Sequence, residues 1–111
     1  MELKECIKKQ IEYSIKTETY TWNDLDNDKT DLVLESEGEY VYGVRLSLEN
    51  NCPKITPIVG LQNRQPESIA SAYTQKGCQT AFYPITELSW VLQVAEKEAD
   101  LRNTEYGKRL L

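Results

Sequence analysis

The chain has 111 residues, 40% hydrophobic and 28% charged, with a net charge of −5 and ten aromatics, seven of them tyrosine. These figures suit one globular domain spanning residues 1–111 and exclude an intrinsically disordered chain. Histidine is absent, which excludes Ser-His-Asp and Cys-His catalytic sites and removes the commonest metal ligand.

Residues 2–17 read as an amphipathic helix. Leu3, Ile7, Ile11 and Ile15 recur every four positions with Cys6 beside them, and Lys4, Lys8, Lys9 and Glu12 take the other face. Tyr20-Thr21-Trp22 reads as a short strand or the wall of a loop. Asn23 to Thr30 is rich in Asp and Asn, whose side chains bond local backbone, and predicts an exposed loop. Asp31 to Ser36 predicts a strand with Leu32 and Leu34 on one face, and Glu37-Gly38 a tight turn. Glu39 to Leu48 is the clearest strand: Tyr40, Tyr42, Val44, Leu46 and Leu48 alternate with Val41, Gly43, Arg45 and Ser47. Glu49 to Pro53 predicts another turn, and Lys54 to Leu61 a third strand. Pro57 lies inside that strand and cannot donate to a ladder, so it belongs at an edge or a bulge.

Pro66 to Lys76 reads as a short helix stopped by Gly77, with Ile69, Ala72 and Tyr73 toward the core. Cys78 to Tyr83 is a fourth strand candidate. Thr86 is the expected N-cap of a helix over 87–103. Its stripe is Leu88, Val91, Leu92, Ala95 and Ala99, widened by Trp90 and Val94, which suits packing on a sheet. The tail from 103 to 111 carries Lys108 and Arg109 and is expected to fray. Consecutive strands flanked by helices predict an α+β fold, a small antiparallel sheet of three to four strands packed against an N-terminal and a C-terminal helix.

The N-terminus is charged and leads into no apolar signal segment, and no apolar run approaches the ~18 residues of a membrane span. A cytoplasmic protein is expected. Cys6, Cys52 and Cys78 are odd in number and lack any CxxC spacing, which predicts free thiols, Cys6 toward the core and Cys52 exposed.

The acids are unevenly placed. Asp24, Asp26, Asp28, Asp31, Glu35, Glu37 and Glu39 fall within residues 24–39, opposed only by Lys29, so that segment carries −6 while the rest of the chain sums to +1. Asp24, Asp26 and Asp28 with Glu35 resemble the ligand spacing of an EF-hand loop. Lys29 stands where that loop needs glycine, Asp31 where it needs an apolar residue, and a strand follows in place of a helix. An Asp/Asn turn is therefore preferred, and no metal or cofactor is expected. Paired-carboxylate catalysis needs partly buried acids of raised pKa, whereas these read as solvated. No GxGxxG or Walker A sequence is present, and the charge balance disfavours direct nucleic-acid binding.

One or two charges suffice to guard a sheet edge against aggregation. Seven like charges repel one another, and such a surface steers a partner of opposite sign. The expectation is a non-enzymatic immunity or inhibitor protein that occludes the groove of a basic toxin or nuclease-like partner. The seven acids would steer and pair, and Tyr20, Trp22, Tyr40 and Tyr42 would supply aromatic anchors. The alternative is a small domain that binds an apolar ligand in a pocket lined by the even-numbered face Tyr40–Leu48 and Trp90, or that homodimerises through its sheet.

Overall fold

A computed structural model describes residues 2–17, 19–69 and 82–109, with side chains up to residue 104. Helix α1 spans Leu3–Ser14, and strands β1 Tyr20–Asp26, β2 Lys29–Leu34, β3 Tyr40–Glu49, β4 Cys52–Leu61 and β5 Glu67–Ser68 follow. A 3₁₀ turn, Ile85–Glu87, runs into helix α2, Leu88–Arg109. The strands form one antiparallel meander in the order β1-β2-β3-β4-β5. The fold is α+β as expected, with five strands in place of three to four. No helix among the described residues is long and apolar enough to cross a membrane.

Both helices pack on one sheet face. Directly opposed residues of an antiparallel pair share a face, so Trp22, Leu32, Val44 and Pro57 line up across four strands. Ile7 and Ile11 of α1 and Leu88 and Val91 of α2 join Leu32, Leu34, Val44, Leu46 and Ile55 in the main core. Ala95 and Ala99 continue the α2 stripe over Val59 and Ile69, where small side chains let the helix approach the sheet. The other face is not bare. Gln62 to Pro66 folds back across it, with Pro66 so close to Gly60 that an added Cβ would lie 2.7 Å from the proline Cα.

The strand sequences explain the turns. Asn50 and Asn51 have φ of 52° and 61°, the left-handed pair a two-residue hairpin requires and Asn tolerates. The turn is tighter than expected, because Cys52 and Pro53 already pair with Glu49 and Leu48. Pro57 lies between two short outer pairings of β4. Ile55 donates to and accepts from Tyr83, and Ile58 and Val59 pair with β5. The N–H of Ile55 points away from β3, so position 57, two residues on, points its missing donor into the gap between those pairings.

Several expectations require correction. Asn23–Thr30 is not a loop: Asn23 to Asp26 belong to β1 and Lys29 and Thr30 to β2, joined by Asn27-Asp28. A bulge between Asp24 and Asp26 absorbs Leu25 and lets a turn-rich sequence pair as a hairpin. Glu67 and Ser68 are a strand, and helical backbone begins only at Ile69. The remainder of that predicted helix from residue 70, and the predicted strand at Cys78 up to residue 81, lie outside the described residues. Thr86 is no N-cap, since it sits inside the 3₁₀ turn that Pro84 precedes, and α2 runs on to Arg109.

Gly43 marks a close approach. A Cβ there would lie 1.7 Å from the Leu32 carbonyl oxygen on β2. Backbone cannot yield as a flexible side chain can, so Gly43→Ala is expected to cost about 2–3 kcal/mol in urea denaturation.

Candidate functional site

The hairpin and the β2–β3 corner send the seven acids to different places. Asp24 lies on the helix-covered face, and Lys4 and Lys8 of α1 reach it at 3.2 and 3.1 Å. The hydroxyl of Thr30, the buried strand partner of Asp24, acts first to hold this carboxyl well below the usual aspartate range, followed by the two ammonium groups. Asp31 points to the opposite face and is 0% exposed. Arg45 grips it with both prongs, Nε to Oδ1 at 2.7 Å and Nη2 to Oδ2 at 3.1 Å, while Nη2 also donates to the Pro66 carbonyl at 2.9 Å. The expectation that Asp31 meets a partner is thus corrected: its charge is consumed inside the fold. Asp26 and Asp28 are exposed at the hairpin end, where the Asp26 carboxylate accepts from the Asn27 N–H at 2.7 Å.

Glu35, Glu37 and Glu39 are exposed at the other end of β2. At ~3.4 Å per residue, the strand separates them from the hairpin acids by about 20 Å. The seven do not make one patch. The same separation disposes of the EF-hand resemblance, since Glu35 lies about 17 Å along the strand from the Asp24–Thr30 pair. No group of three or more acids or cysteines is disposed to hold a metal among the described residues.

The corner instead meets acids from α2. Glu35, Glu37, Glu96 and Asp100 line a cleft of about 510 Å³ with Ser36, Gly38, Tyr42 and Asn103. Helix spacing explains the α2 contribution: positions 96, 100 and 103 lie one turn apart on the same side. All four carboxylates are exposed. None has a Lys or Arg within ion-pair distance among the described residues.

Asn103 fixes the corner against the helix. Tyr40 N–H donates to Asn103 Oδ1 at 2.8 Å, and Asn103 Nδ2 donates to the Tyr40 carbonyl and to Ser36 Oγ at 3.3 Å. Ser36 Oγ in turn donates to the Tyr40 carbonyl and accepts from Gly38 N–H. Gly38 has no room for a Cβ, which would overlap the Asn103 side chain.

The Tyr42 hydroxyl donates to Glu96 Oε2 at 2.9 Å. Burial, that hydrogen bond and the charges of Glu96 and Asp100 push its phenol up to about 12 from the usual 10. Because the folded-state value is raised, the associated stability is complete below pH 10 and is lost as the pH climbs through about 12. An ultraviolet pH titration is expected to show one tyrosine ionising near 12, absent in Tyr42→Phe and shifted down in Glu96→Gln.

Beside the cleft runs a groove of about 660 Å³ between the end of α1 and the start of α2. Half-buried Ile15, Tyr42 and Leu92 give it apolar surface above the buried Leu34 and Leu88, with Lys16, Ser89 and Gln93 exposed on its rim. Tyr42 and Glu96 line both groove and cleft.

Of the four expected aromatic anchors, Tyr42 alone lines the cleft. Tyr20 packs partly buried against the core. Trp22 is committed to α1, donating to Glu12 at 2.6 Å beneath the Lys8 ammonium. Tyr40 lies under Arg102. Trp90 is outside the groove it was expected to line, packed edge-to-face on Tyr83 at 5.0 Å. Cys6 is half-buried and Cys52 exposed, both as free thiols. Glu96, Asp100 and Asn103 lie beside the apolar stripe that dominates the α2 sequence, and their 4-and-3 spacing is the signal that marks them. Compared with family models, curated proteins and solved structures, the chain matches none of them.

Proposed function

We propose that the protein is a non-enzymatic, cytoplasmic binding protein of the immunity or inhibitor kind, which neutralises a basic toxin or nuclease-like partner by occluding its positively charged groove. The observation that carries this reading is the cleft of Glu35, Glu37, Glu96 and Asp100. Acids from two segments far apart in sequence are held together there, by the Asn103 clamp and the Tyr42 hydroxyl, with no Lys or Arg within ion-pair distance of them among the described residues. Their mutual repulsion falls when a cation arrives, so complementary charge raises both the encounter rate and the selectivity. Edge protection accounts for Asp26 and Asp28, which sit at the tip of the outermost hairpin. It does not account for the cleft, which is built from a strand–strand corner and a helix.

The test is association kinetics with the basic protein that immobilised wild-type chain retains from its own cell. The rate is expected to fall about tenfold or more between ~0.05 and ~0.5 M salt. A rate that does not respond to salt contradicts the proposal.

A further inference from the structure

The groove and the cleft are two halves of one surface. Apolar side chains floor the first, four carboxylates line the second, and Tyr42 and Glu96 belong to both. We infer that together they form one docking trough for an amphipathic basic segment of a protein partner, which lays apolar side chains over Ile15 and Leu92 and places lysines or arginines among Glu37, Glu96 and Asp100. The inference rests on the proposed function and adds the chemistry of the segment recognised.

Charge selects this occupant. A second copy of the chain carries −5 overall, so long-range repulsion opposes its approach. An anionic lipid surface is repelled for the same reason. A neutral apolar ligand would fill the groove and leave the four acids as they are. A segment with an apolar half and a basic half satisfies both surfaces at once, as amphipathic helices do in apolar grooves with charged ends. Helix α1 and helix α2 supply rigid walls, and Leu34 and Leu88 of the floor are already held by the core, so little ordering cost falls on this side of the complex.

Three labelled eight-residue peptides (about the length of two helical turns) test the inference by fluorescence anisotropy. The first carries four leucines followed by four lysines. The second replaces the leucines with serine, and the third replaces the lysines with serine. The first is expected to bind at least about tenfold tighter than either of the others, as several buried apolar groups and desolvated ion pairs require. Ser89→Trp, which crowds the exposed groove rim without touching the core, is expected to reduce it to the level of the second peptide. Glu96→Gln with Asp100→Asn is expected to reduce it to that of the third. Equal binding of the first and second peptides, or indifference to Ser89→Trp, overturns the trough while leaving a basic partner in place. Equal binding of the first and third overturns the trough and counts against the acidic cleft as well. Circular dichroism of each variant confirms that the fold is retained.

Discussion

Arg45→Met is expected to destabilise the fold by about 3–5 kcal/mol, the largest single-residue effect in the molecule outside the hydrophobic core. Asp31 is completely buried, and the Arg45 guanidinium supplies both of its charge-assisted contacts. Removing the arginine leaves an unpaired carboxylate where water cannot reach it, and it also releases the Pro66 carbonyl. Asp31→Leu strands the other half of the pair, but Arg45 is 20% exposed and can turn toward solvent, so the loss should be smaller. The double replacement Asp31→Leu with Arg45→Leu should be more stable than Arg45→Met, since an apolar pair of similar volume avoids the desolvation penalty. Urea denaturation of the three variants checks the order. A cost below about 1 kcal/mol for Arg45→Met would place Asp31 in contact with solvent.

Charge reversal at the cleft should have the largest effect on binding. Glu96→Lys with Asp100→Lys changes the local charge by four units on an exposed helix face. Its association rate with a basic partner is expected to drop about 100-fold at low salt, within the range that steering supplies. Stability should change little, because neither carboxylate pairs with a base among the described residues and only the Tyr42 hydrogen bond is lost, worth about 1 kcal/mol. Asp26→Lys with Asp28→Lys makes the same change of charge at the hairpin. At physiological salt it should slow association far less than the cleft reversal does, since those residues lie about 20 Å from the cleft, beyond two screening lengths. Stopped-flow mixing with the two double variants separates the cases.

The fold class was legible because its elements carry strong periodicity. Ile7, Ile11, Val91 and Ala95 occupy the helix faces their spacing assigns, and Tyr42, Val44, Leu46 and Leu48 of β3 share the core-facing side that their alternation assigns. The hairpin at Asn27 is not legible in the sequence because Asp and Asn prefer turns locally, and the gain from pairing β1 with β2 is a tertiary term that local preference does not contain. The electrostatic reading failed at Asp31 for a related reason. Alternation placed it correctly on the face opposite Leu32, but nothing in a strand pattern reveals that Arg45 stands beside it on β3. Register decides that contact, and register is fixed by the turn at Asn50-Asn51 and by the core. The cleft joins residues 35–38 to 96–104, and only the packing of α2 on the sheet brings them together.

The most direct measurement is a nitrogen-15 NMR titration of the folded protein with tetralysine. The expected result is that the largest amide shifts fall at Glu35–Gly38 and along α2 from Glu96 to Thr104, and that they vanish in Glu96→Gln with Asp100→Asn. Shifts centred instead on Asp24–Asp28, or spread evenly over both ends of β2, would mean that the corner acids do not form the surface that meets positive charge.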